Sequence, residues 1–158
     1  MEIAEANGYL LALFSHSVGT PAPWAWDACA PTGVFERAAA GGHALSLHEY
    51  GDMNINLNSH LLRYRDVYER HILPRGLDIP LYITEYNLWR ETLGYVDSSY
   101  LFDQWARYDA HVAADPYLAG VHIYSVGMVS DLYVQAIYDL YPRFREYAVA
   151  VKDRVNGY

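Results

Sequence analysis

The chain has 158 residues, 11 Lys and Arg against 19 Asp and Glu, a formal charge of −8 and a single cysteine, Cys29. That length suits one ordinary domain and falls well short of a complete eight-fold barrel of about 250 residues. So few cations leave little with which to track a phosphate backbone, which excludes nucleic acid as a partner, and one cysteine excludes an intrachain disulfide and a thiolate metal cluster.

No run approaches about 18 uninterrupted apolar residues, and the opening "MEIAEANGYL" has neither the basic start nor the apolar core of a signal peptide. The expectation is a soluble chain with no membrane partner and an undetermined compartment. Aromatics make up 15%, and 16 of them are tyrosines, so a tyrosine-lined core or cleft is expected.

In chain order, a short leading helix is followed by a β-type run at 9–19, "YLLALFSHSVG", and by a short helical run, "GVFERAAA". A second strand is predicted at 43–51, "HALSLHEYG". A helix follows over "SHLLRYRDVYERHIL", where Leu61, Leu62, Tyr68 and Ile72 fall near helical spacing behind an N-cap at Asn58 or Ser59. The third strand is predicted at 81–88, "LYITEYNL". The next helix, "SSYLFDQWARYDAHVAAD", starts at Asp97 or Ser98 and aligns Leu101, Trp105, Tyr108 and Val112. A fourth strand at 120–128, "GVHIYSVGM", precedes a last helix from about Pro142 to Val155, its proline suited to a first turn.

Alternation of this kind predicts an α/β fold, a parallel sheet of four βα units in one domain spanning 1–158, with helices on at least one face. No linker interrupts it. No glycine-rich phosphate loop follows a strand, so no organic cofactor is implied.

The unusual polar residues sit at the carboxyl ends of the predicted strands: His16 and Ser17, then His48, Glu49 and Tyr50, then Thr84 and Glu85, then His122 and Tyr124. That edge is where parallel α/β folds build their sites. A period of two sets Leu45, Leu47 and Glu49 on one face and Ala44, Ser46, His48 and Tyr50 on the other. The leucines belong under helices, so His48 and Tyr50 point to the inner side, as do His122 and Tyr124. In the third strand both faces are partly apolar, and the same period puts Glu85 on the face of Leu81 and Ile83. Trp24, Trp26 and Trp89 fall in loops after strands, where flat rings either stack on sugar faces or cover a small core.

The segments "ALFSHSVGTP", "LHEYG", "PLYITEYN" and "GVHIYSVG", in this order, resemble strands five to eight of a clan A (β/α)8-barrel glycoside hydrolase. The resemblance covers essentially the whole chain and implies half of a TIM barrel. Its most specific piece, "PLYITEYN", is similar to the strand-seven nucleophile motif and puts Glu85 at the nucleophile. "HEY" matches the His-x-Tyr of strand six and implies His48 and Tyr50 in the substrate pocket. His16, His122, Tyr124, Trp26 and Trp89 join them as candidate substrate-binding residues around a carbohydrate. The Asn-Glu pair that carries the acid/base on strand four of that family has no counterpart here, since no Asn-Glu dipeptide occurs in the chain. Retention requires a second carboxyl group about 5 to 5.5 Å from the nucleophile. Glu49 is a candidate for it, provided that a bulge turns it inward.

Two rival functions stand beside this one. His16, His48 and His122 with Glu85 have the ligand types of a metal-dependent hydrolase, although no fixed His spacing supports it. A non-catalytic carbohydrate-binding or structural half-barrel is the other. A half-barrel also predicts two unpaired edges and an exposed inward apolar face including Leu81, Ile83 and Phe14, to be completed by homodimerisation or by a complementary N-terminal half.

Overall fold

The computed structural model describes residues 1–57, 59–88, 98–124 and 131–155. Four parallel strands, β1 (Ala12–Leu13), β2 (Ala44–Tyr50), β3 (Leu81–Asn87) and β4 (Leu118–Ile123), form one sheet in the order β1-β2-β3-β4. Chain neighbours are therefore sheet neighbours, as the alternation predicts. Strand β1 is much shorter than the predicted run 9–19, β4 begins at Leu118 ahead of its predicted start, and 125–128, the end of the fourth predicted strand, lies outside the described residues.

Among the described residues the α-helices are α1 (Glu2–Ala6), α2 (Pro23–Cys29), α3 (Val34–Ala40), α4 (Tyr64–Val67), α5 (Ser98–Val112) and α6 (Asp131–Val155). Arg37 ties α1 to α3 through Glu2 and Glu5 at 3.2 and 2.6 Å. Helix α2 replaces the loop expected around Trp24 and Trp26. Its local signal is a proline at the first helical position, which is pre-set for a helix and has no N–H to leave unpaired. The run 59–73 forms less α-helix than its periodicity predicts. Helix α4 begins at Tyr64 with no side-chain cap of its own, passes through a π turn at Tyr68–Ile72, and closes in a 3-10 turn at Leu73–Arg75 against Gly76 at φ 64°.

Helix α6 corrects the last predicted boundary, because it starts at Asp131 and runs through Pro142. An interior proline forfeits one intrahelical hydrogen bond. Burial of Ile137 and Leu140 ahead of it in the common core offsets that loss.

Paired register positions carry apolar side chains across the helix side of the sheet: Leu13 with Leu45, Leu45 with Leu81 and Leu47 with Ile83, then Leu81 with Leu118, Ile83 with Val121 and Tyr86 with Ile123. They pack in one core with Phe35, Ala38, Val67, Ile72, Leu101 and Tyr108. This overturns the expected exposed inward apolar face. Leu81 and Ile83 are 0% exposed, and Phe14, at φ 71°, turns its ring edge-on to Trp26 at 5.0 Å. The opposite face carries Ala44, Ser46, Tyr82 and Gly120 instead, small or polar groups, with Ser46 itself enclosed. Strands β1 and β4 are the outer members of the sheet. Among the described residues no helix is long and apolar enough to cross a membrane.

Candidate functional site

Strand β2 alternates as its sequence predicts, with Leu45 and Leu47 under the helices and Ser46, His48 and Tyr50 on the other side. Strand β3 does not. Its pairing with β2 runs Ser46 with Tyr82 and Leu47 with Ile83, then jumps to His48 with Glu85, leaving Thr84 as an extra residue in a bulge. The bulge puts two consecutive side chains, Thr84 and Glu85, on the open face and sends Tyr86 under the helices. The expectation that Glu85 shares a face with Leu81 and Ile83 is corrected by this one-residue slip.

Glu85 is gripped from β2. The Tyr50 hydroxyl donates to Glu85 Oε2 at 2.8 Å, and His48 Nδ1 lies 3.3 Å from the same oxygen. The Tyr124 ring meets Tyr50 edge-on at 6.4 Å, and 38% of Tyr124 is exposed. Glu85 itself keeps 29% of its side chain exposed, so its carboxylate is oriented and yet open to a small molecule. His122 is exposed on β4, between the half-buried Val121 and Ile123 and alongside the bulge. His16 is exposed just beyond β1.

Glu49 is corrected as a candidate acid. It is 0% exposed, and its carboxylate accepts the amides of Leu62 and Arg63 at 2.7 Å and of Tyr64 at 3.3 Å, together with the Tyr108 hydroxyl at 2.6 Å. It caps the start of α4 from across the core, a role the expected N-cap Ser59 does not fill, its hydroxyl going to the Asn56 carbonyl; Asn58 lies outside the described residues. Burial pushes its carboxyl above the ordinary carboxylate value, against the pull of the Tyr108 hydroxyl and the three amides. The bulge that would have turned Glu49 inward lies on β3 instead and moves Glu85.

Trp26 is corrected too. It is 2% exposed and packs between Phe14 and Phe35, so its ring belongs to the core and is not available to a sugar. Trp89 lies outside the described residues. Among the described residues, no three or more His, Cys, Asp or Glu side chains are grouped to hold a metal ion. His48 meets Glu85, but His16 and His122 do not join them in a group of three or more such ligands.

Sequence reasoning placed Ser46 on the inner face and Thr84 at a strand end but gave neither a part in the site. Their hydroxyl oxygens lie 2.6 Å apart, and Ser15 donates to Ser46 at 2.8 Å. Alternation put Ser46 on the inner face, but nothing local announced the bulge. A separate cavity of about 170 Å³, lined by Tyr86, Phe102, Trp105, Val121, Ile123 and Phe144, lies among core side chains beneath α6 and contains none of these site groups.

Fold and site together define a parallel α/β chain with a carboxylate held by a tyrosine and a histidine at the carboxyl edge of its sheet. The chain matches no protein-family model, no curated protein and no solved structure.

Proposed function

We propose that this chain is the nucleophile half of a retaining glycoside hydrolase barrel, equivalent to strands five to eight of the clan A type. In this reading Glu85 attacks the anomeric carbon. Tyr50 and His48 orient its carboxylate and meet the sugar, and Tyr124 forms part of the wall. The observation that carries the reading is the hydrogen bond from Tyr50 to Glu85 Oε2 at 2.8 Å on the open face of the sheet. A carboxylate used as a nucleophile must be aimed and accessible, and this one has a fixed oxygen and an exposed flank.

The leaving oxygen of an ordinary glycoside needs a proton from a second carboxyl group about 5 to 5.5 Å away. Glu49, committed to α4, does not supply it. The proton donor comes with whatever completes the barrel against β1 and β4, and a complementary N-terminal half accounts for it more simply than a second copy of this chain. A copy would bring a second Glu85 instead of an acid held in a different environment.

The nucleophile is testable without the acid. Dinitrophenyl 2-deoxy-2-fluoroglycosides carry a leaving group that departs without protonation, so the first step should proceed on the chain alone and leave a glycosyl ester on Glu85. Mass spectrometry of the digested protein should place the added sugar on the peptide containing Glu85, and Glu85→Gln should abolish it. Failure of a panel of such fluoroglycosides to label the chain would remove Glu85 from the chemistry. Oligosaccharide binding by calorimetry without labelling would mark a carbohydrate-binding piece instead.

A further inference from the structure

In a regular strand Glu85 would follow Thr84 onto the opposite face, among Leu81, Ile83 and the helices. That side already buries Glu49, whose acceptor capacity is taken up by three amides and the Tyr108 hydroxyl. Tyr86 occupies the space instead and stacks on Tyr108, with ring centroids 3.8 Å apart. The slip that exchanges Glu85 for Tyr86 occurs at one residue. Thr84 stands between the pairs Leu47 with Ile83 and His48 with Glu85 and has no partner of its own in the β2 ladder.

What ties that residue to β2 is its side chain. Thr84 Oγ1 lies 2.6 Å from Ser46 Oγ, and Ser46 is fully buried. Ser15 Oγ donates to Ser46 at 2.8 Å. Ser46 Oγ thus accepts from Ser15 and shares a second hydrogen bond with Thr84, in which either hydroxyl can be the donor. The three hydroxyls form a continuous hydrogen-bonded chain from the segment after β1, across β2, to the bulge. Threonine is β-branched and stiff about χ1, so a hydrogen bond at its hydroxyl also restrains the backbone beneath it.

We infer that Thr84 is a positioning residue that aims Glu85, acting through the Ser15–Ser46–Thr84 hydroxyl chain that pins the bulge to β2. This rests on the reading of Glu85 as nucleophile. The hydroxyl chain locks the bulge in the register at which Glu85 reaches Tyr50 and His48. Loosening it shifts the carboxylate relative to both, and a displacement of about 1 Å at a reacting group costs about 100-fold in rate.

The experiment has two arms on the same variants. 3-Fluorotyrosine installed at position 50 gives a ¹⁹F resonance that reports the hydrogen bond to Glu85, with Glu85→Gln as the reference for its loss. The rate of labelling by a 2-fluoroglycoside reports the aim of the nucleophile. Thr84→Val, which keeps the shape and loses the hydroxyl, should move the ¹⁹F resonance towards the Glu85→Gln position and slow labelling about 100-fold. Thr84→Ser should keep the wild-type resonance and label within a few-fold of wild type. Ser46→Ala should behave as Thr84→Val does and decides the matter if Thr84→Val does not fold. If the wild-type chain is never labelled but the ¹⁹F series follows this order, the glycosidase reading fails and the positioning role stands. If the wild-type chain is labelled at Glu85 while Thr84→Val and Ser46→Ala keep both its resonance and its labelling rate, the positioning role is overturned.

Discussion

Glu49 accepts the Tyr108 hydroxyl at 2.6 Å on the helix side of β2, while its chain neighbour His48 faces Glu85 on the other side. Two carboxylates that the sequence sets on adjoining strands are thus separated by the thickness of the sheet. One is enclosed and anchors a helix, and the other is open. Replacing Glu49 by Ala leaves three amides and a tyrosine hydroxyl without their acceptor, a loss of about 3 to 5 kcal/mol for a buried group of this kind. Urea denaturation followed by circular dichroism should show that loss, and a Glu49→Ala protein as stable as wild type would contradict the anchoring role.

The same group makes stability depend on pH. Burial raises the Glu49 carboxyl in the folded chain above its unfolded value of about 4.3, so the folded state binds that proton more tightly. The associated contribution is fully present below about pH 4.3 and is lost as pH rises through the folded value. The stability of wild type relative to Glu49→Gln should therefore fall with rising pH over that interval. A difference that stays flat, or grows, would contradict the direction.

Tyr50→Phe removes the donor to Glu85 Oε2 without changing the ring that meets Tyr124. Unfolding free energy should change by no more than about 1.5 kcal/mol, the scale of a partly exposed hydrogen bond. Fluoroglycoside labelling of Glu85 should slow by about 10- to 100-fold, since the carboxylate loses the contact that orients it. Labelling at the wild-type rate would show that Tyr50 does not aim the nucleophile.

Asp115 joins α4 to the segment between α5 and β4. Its Oδ2 accepts the Tyr64 hydroxyl at 2.5 Å and Arg65 Nε at 2.7 Å. Tyr64 is buried, so Asp115→Ala should cost about 2 kcal/mol, most of it from the tyrosine rather than from the partly exposed arginine. A double-mutant cycle with Tyr64→Phe should give a coupling of about 1 kcal/mol. Additive effects would break the assigned link.

The two tryptophans of α2 should respond differently to truncation. Trp26→Ala empties a core position beside Phe14 and Phe35 and should cost about 3 to 5 kcal/mol. Trp24 is 73% exposed, and its replacement by Ala should change stability by no more than about 0.5 kcal/mol. Thermal melts of the two variants separate a core ring from a surface one, and equal losses would place Trp26 outside the core.

Much of the architecture is legible in local pattern. The runs around Leu45 and Leu47 and around Leu81 and Ile83 are strand-forming, the stretch from Leu101 to Val112 has helical period, and their alternation leads to a parallel sheet. Helix α2 escapes such a reading because seven residues hold too few turns for a period to show. The true start of α6 escapes because Pro142 mimics a first turn, and only packing ahead of it sustains the helix through that residue.

The order of βα units, the inward set Ser46, His48 and Tyr50, and the gathering of polar side chains at strand ends follow from local sequence, because β propensity and a period of two act between near neighbours. Which carboxylate reaches the open face is set by long-range packing. That choice depends on Thr84 bonding to Ser46, on Tyr86 stacking against Tyr108, and on Glu49 being engaged by the amides of Leu62, Arg63 and Tyr64. Each of these contacts joins residues far apart in the chain, and together they favour a one-residue slip that no local preference in β3 encodes.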